Sequence, residues 1–280
     1  MEKIRIVTDS ASDMPADLAR ATGTQVVPIY LRFGERVYRD GIDISNEEFF
    51  RQLAASPVHP ATSQPTPEDF SSYYQQSCAA NESVISIHIS SKISGTYNSA
   101  LTAKRSMPQN CKIEVIDSTF NSAGTILTIL EAARQIKNGL AFENVVQKTR
   151  QAIDQIQMLG VFSTMKYLAR SGRVNRSVAR AADFLNVMPL LTFHAGEITR
   201  AGFVRTLNKG MERLVGFVKN KPVRELIIVH SAIPEKARLL MDRLAEFLPR
   251  DKMTIAHLGA ALGVHGGPGV LLVALRLDNE

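Results

Sequence analysis

Apolar residues fall in short, nearly unbroken runs through the first half of the chain, at residues 4–8, 25–33, 84–89 and 112–116. A strand that is apolar on both faces is buried on both, as the strands of a parallel sheet are. Between these runs, at 14–22, 46–55, 67–80, 96–107 and 124–138, the pattern turns helical, and several of the segments open on Ser, Asp or Pro, which serve helix starts. Strand and helix in alternation predict a doubly wound sheet.

After a helical stretch at 142–157 the pattern changes. Strand-like segments follow at 161–162, 187–193, 197–204, 225–229, 254–257 and 270–275, and Gly196 between two of them is a hairpin signal. Strands joined by a tight turn run antiparallel, so this half is predicted to carry a mixed sheet with helices packed on it. The expected fold class is α/β in two domains, an α/β/α parallel-sheet domain over 1–157 and an α/β domain with a mixed sheet over 158–280.

A chain of 280 residues with 45% hydrophobic content can bury a substantial core. Its apolar stretches stay well short of the roughly 20 residues a membrane span needs. Lys3 and Arg5 lead directly into a strand with no apolar signal core, so a cytoplasmic location is expected. The net charge of +6 is mild for a nucleic-acid binder and suits an acidic partner or anionic ligand equally well. Cys78 and Cys111 lack CxxC spacing and a nearby His pair, which predicts two structural thiols, with neither a zinc site nor a disulfide. His59, His88, His194, His230 and His257 show no metal-binding spacing, so no metal and no cofactor are expected.

Open parallel sheets bind ligands at the carboxyl ends of their strands, and four polar loops are predicted there. Thr8-Asp9-Ser10-Ala11-Ser12-Asp13 reads first as a helix cap. In Thr62-Ser63-Gln64-Pro65-Thr66-Pro67 two prolines stiffen a hydroxyl-rich segment before a helix, with Thr66 as the cap. Ser90-Ser91-Lys92-Ile93-Ser94-Gly95-Thr96-Tyr97 opens a helix, so free N–H groups would face an anion beside Ser94. It is not a Walker loop, because Lys92 precedes the glycine. Asp117-Ser118 reads as structural. In the second half His265 lies among Gly263, Gly266, Gly267 and Gly269, which allow positive φ and close backbone approach. Lys166, Arg170, Arg173 and Arg180 would share a helix face, although Gly172 is expected to break that helix.

Taken in order, Thr8-Asp9-Ser10, Thr62-Ser63-Gln64-Pro65, Ile89-Ser90-Ser91, Ser94-Gly95-Thr96-Tyr97, Ile116-Asp117-Ser118, Tyr167-Leu168 with Gly172-Arg173, Arg205-Thr206, and His265 with Gly267-Pro268-Gly269 resemble the bacterial DegV family from end to end. The resemblance implies two α/β domains with a fatty acid between them. It implies a carrier with no catalysis of its own, several members being acyl-carrying subunits of fatty acid kinase, whose ATP-binding partner phosphorylates the bound carboxylate. Carried over by position, Thr62 and Ser94 would hydrogen-bond the carboxylate, with Ser63, Gly95 and His265 beside it, and Arg173 and Arg205 would serve the phosphorylated product or partner docking. Ser171 and Gly266 depart from the commoner family pattern, which bears on docking more than on acyl binding. Transient contact with a membrane surface is compatible with such a carrier.

Two other function classes fit parts of the pattern. A serine hydrolase would use Ser94, His265 and an Asp such as Asp9 or Asp117, although no GxSxG elbow is present. A basic regulatory protein would bind duplex DNA with steep salt dependence, yet the sequence shows no nucleic-acid-recognition motif, so no nucleic-acid partner is expected.

Overall fold

The structure, a computed structural model, describes residues 2–172 and 187–278. Four parallel strands form the first sheet in the order β2-β1-β6-β7. They are β1 (Ile4–Asp9), β2 (Thr24–Val27), β6 (Ser83–His88) and β7 (Ile113–Asp117). The unbroken apolar runs arise because both faces are covered. On one side Val7, Val84 and Val115 meet Phe70 and Tyr74 of α3 (Pro67–Ala79) and Ala100 and Ala103 of α4 (Thr96–Ser106). On the other, Ile6, Ile85 and Ile87 meet Ile129 of α5 (Ser122–Lys137) and Val145 of α6 (Phe142–Ile153).

The second sheet is mixed, in the order β10-β9-β8-β13-β11-β12. It comprises β8 (Ile156–Val161), β9 (Met188–His194), β10 (Glu197–Val204), β11 (Val223–His230), β12 (Met253–His257) and β13 (Leu271–Leu277). Only β11 and β12 pair in parallel. The predicted hairpin joins β9 to β10 through Ala195 and Gly196, both at positive φ, as a tight two-residue turn between antiparallel strands requires. The outer face packs on α8 (Leu207–Val218) and α9 (Pro234–Leu244). The inner face, with Met158, Ile227, Val229 and Leu272, meets Ile126 and Leu127 of α5, so α5 lies between the two sheets and is buried nearly all round. Arg276 of β13, almost fully buried, is held by Glu225 of β11, with Nε donating at 2.8 Å, and by Glu131 of α5, an ion network that bridges the layers.

Three sequence expectations need correction. The run 25–33 is two strands, because Pro28 has no N–H to give a ladder; β2 ends at Val27, and β3 (Tyr30–Phe33) enters a separate antiparallel sheet. That small sheet, β4-β3-β5, adds β4 (Arg36–Arg39) and β5 (Ala61–Ser63), neither foreseen. Cys78 and Cys111 are joined in a disulfide, with Cα atoms 5.5 Å apart, because the end of α3 lies beside the turn into β7, an adjacency that their separation of 33 residues does not reveal. Among the described residues, no helix is long and apolar enough to cross a membrane.

Candidate functional site

A cavity of about 380 Å³ opens where the carboxyl ends of the first sheet, the small sheet and the inner face of the second sheet meet. Its polar end is formed by Thr62, Ser63, Gln64, Ser94, Gly95 and His265. The rest is chiefly apolar, with Ile29, Ile89, Met158, Phe162, Leu168 and Leu191 among the lining side chains.

Each polar group has a local cause for its position. Thr62 sits on β5, paired with Leu31 of β3, and the segment then turns at Pro65 into α3, whose capping box between Thr66 and Asp69 fixes the turn. Ser94 precedes Gly95, the residue that opens α4; its Oγ accepts from the Thr96 N–H at 3.2 Å and shares a hydrogen bond with Thr96 Oγ1 at 2.8 Å. Gln64 lies directly across Gly95, where a Cβ would strike its amide, and donates through Nε2 to Ser99 Oγ at 3.0 Å. Glycine at 95 thus admits the Gln64 amide beside the start of α4, and its φ of −78° is one any residue adopts.

His265 is in the last turn of α10 (Ala260–Gly266), and its Nε2 lies 3.0 Å from Thr62 Oγ1. The helix stops at Gly267, φ 69°, with Tyr167 packed where a Cβ would stand, so the glycine cluster does provide positive φ and close approach. Tyr167 belongs to α7 (Lys166–Ser171), which ends at Gly172 with φ 72° as the sequence predicts. The fold thus brings Thr62, Ser63, Ser94, Gly95 and His265 to one cavity end. Arg205 is exposed just after β10 and is not a lining residue, and Arg173 and Arg180 lie outside the described residues.

The polar loops divide in their roles. Asp9 accepts from Ala11 N at 3.0 Å, Ile89 N at 3.2 Å and His88 Nδ1 at 2.9 Å, and the chain continues from His88 Nε2 to Ser86 Oγ at 2.7 Å. This Asp-His-Ser series has the order of a hydrolytic triad, but all three side chains are fully buried, away from the cavity lining. Asp117 accepts from Ser91 N at 3.1 Å and Thr119 N at 2.8 Å. Both carboxylates named for a hydrolase cluster with Ser94 and His265 are thus engaged in holding loops. Ser90 Oγ donates to the Gly196 carbonyl at 2.7 Å, which ties the β9–β10 hairpin to this loop, and Phe193 packs against Phe120 with tilted rings whose centroids are 5.6 Å apart.

The cavity's lining combines hydroxyls, amides and an imidazole with a larger number of apolar side chains. The family model described as "Uncharacterised protein, DegV family" matches residues 3–277.

The chain belongs to the DegV family.

A DegV domain-containing protein of Caldanaerobacter subterraneus subsp. tengcongensis is 34% identical over 272 residues, which cover 96% of each chain. Among solved structures, the fatty-acid-binding DegV family protein of Thermus thermophilus is 30% identical with a TM-score of 0.89, covering 98% of this chain and 100% of its own. A stearic acid-binding protein of Eubacterium ventriosum is 27% identical with a TM-score of 0.89, covering 99% and 98%. The solved DegV proteins of Thermus thermophilus and Bacillus subtilis are both described as binding fatty acid.

Two lining residues carry a signal that sequence reasoning passed over. Gln64, within the segment 62–65, lines the cavity with its amide against Gly95. Asn121, which opens α5, lines the cavity with a buried Oδ1 that has no hydrogen-bond partner among the described residues. Its position just past the loop after β7 is the signal that would have found it.

Proposed function

We propose that this chain is a two-domain carrier, with halves 1–157 and 158–280, that binds one long-chain fatty acid with its carboxylate at Thr62, Ser63, Ser94, Gly95 and His265 and its tail among the apolar lining. The carrying observation is the one cavity that has Thr62 and His265 at hydrogen-bond distance at its polar end and hydrocarbon walls beyond. An ionised carboxylate removed from water needs donors, and hydroxyls, an imidazole and the N–H groups at the start of α4 are donors. The tail needs only burial. At roughly 0.8 kcal/mol per methylene, a chain of about sixteen carbons contributes on the order of 10 kcal/mol before ordering costs.

The carboxyl group of such a ligand would lie at the accessible end, since Ser63 and Gln64 are exposed. That orientation suits a substrate presented to another enzyme, and we propose a separate ATP-binding kinase as the partner, in the cytoplasm, with Arg173 and Arg205 serving the phosphorylated product or the docking face. The test compares palmitate with methyl palmitate, which keeps the tail and lacks the anion. Palmitate should bind far more tightly, and Thr62→Ala and Ser94→Ala should erase most of the difference. Equal affinity for acid and ester in the wild type would refute a carboxylate seat. Incubation of the loaded protein with ATP alone should yield no acyl phosphate.

A further inference from the structure

The helix that carries His265 has no cap of its own. Gly259 opens α10 and has no side chain to receive the N–H groups of the first turn, which need acceptors when buried. The acceptors come from the other half of the chain. Asp13 Oδ1 accepts from Gly259 N at 2.7 Å, and Asp40 Oδ2 accepts from Ala261 N at 3.3 Å and also serves Ala260 N. A Cβ on residue 259 would stand 2.8 Å from Asp13 Oδ1, so the glycine is what admits the carboxylate.

Both carboxylates are buried, and no cation is paired with either among the described residues. Asp13 receives Ser122 Oγ, and Asp40 receives Ser10 Oγ, itself fixed by Ile29 N at 3.0 Å. Burial raises the pKa of Asp13 well above the ordinary range and that of Asp40 to about 6. Two buried carboxyl groups without cations are costly, and hydrophobic or neutral residues would fill the space at less expense. What they hold is the short helix that carries His265. From Gly259 to His265 the rise is about 9 Å, Gly263 abuts Phe49 so closely that a Cβ would collide, and the far end meets Thr62.

We propose that Asp13 and Asp40 are positioning residues for the ligand seat: by receiving the first N–H groups of α10 they set where His265 stands against Thr62. This rests on the fatty-acid reading above. The consequence is that loss of either acceptor loosens the seat without touching a lining residue.

The experiment measures the dissociation rate of palmitate from the full-length chain. Asp40→Ala should release it about tenfold faster, the equivalent of roughly 1.4 kcal/mol, within the cost of an unsatisfied buried donor. Asp40→Asn keeps an acceptor and should restore a rate near wild type. Asp13 has a φ of 54°, which glycine adopts readily, so Asp13→Gly removes the carboxylate without backbone strain and carries the same expectation if Asp40→Ala fails to fold. In a His265→Ala background Asp40→Ala should add less than about twofold, because its effect runs through that residue. A folded Asp40→Ala or Asp13→Gly with the wild-type rate overturns the proposal, and so does a full further increase in the His265→Ala background. If His265→Ala and Thr62→Ala themselves release palmitate at the wild-type rate, the carboxylate seat fails and this proposal with it; if they are fast while the Asp variants are normal, only the positioning role fails.

Discussion

Neutralising Asp40 should flatten part of the protein's pH–stability profile. Burial holds its carboxyl at about 6, against roughly 3.9 in an unfolded chain, with Asp9 nearby pushing in the same direction. Between those values the folded state keeps a proton that the unfolded state has lost. The stability contributed by protonated Asp40 is therefore fully present below the unfolded value and is lost as pH rises through 6. The whole shift is worth about 3 kcal/mol, and the part accessible between pH 4.5 and 8 about 2 kcal/mol. Urea unfolding of wild type and Asp40→Asn, both stripped of lipid, across that range reads the difference directly. The wild type should lose about 2 kcal/mol relative to the variant from the acid to the alkaline end. Parallel profiles would show that Asp40 titrates alike in both states and would refute the argument from burial.

Gly95→Ala should force the exposed end of the Gln64 side chain from its place and break its hydrogen bond to Ser99, so unfolding free energy in urea should fall by about 1 kcal/mol. In a Gln64→Ala background the same substitution should cost little more; a full further loss would mean that Gly95 matters for another reason. Arg276→Met leaves Glu131 and Glu225 facing each other across a buried network, so unfolding free energy in urea should fall by about 3–5 kcal/mol. A change below about 1 kcal/mol would show that Arg134, which also reaches both carboxylates, suffices.

Much of the architecture is legible along the chain because burial on both faces leaves short, largely apolar runs, as in β1 and β6, and because turns need particular residues, as at Gly196 and Gly172. Pro28 was the overlooked punctuation, and the small sheet it begins is too short and too polar for periodicity to reveal: β4 reads Arg36-Val37-Tyr38-Arg39 and β5 only Ala61-Thr62-Ser63. The site is less legible for a different reason. Thr62 and His265 are 203 residues apart, and the cap of α10 comes from Asp13 and Asp40 across the fold. Local pattern carries no record of such pairings; the family resemblance pointed to Thr62, Ser94 and His265, whereas Gln64, Asn121 and the two carboxylates emerge only once the layers are assembled.

The most direct test of the account is organic extraction of the purified protein and mass spectrometry of free fatty acid, quantified per chain, with Ser94→Ala prepared alongside. The account predicts near-stoichiometric long-chain fatty acid in the wild type and clear depletion in the variant. No fatty acid in either, with none taken up on incubation with palmitate, would contradict it.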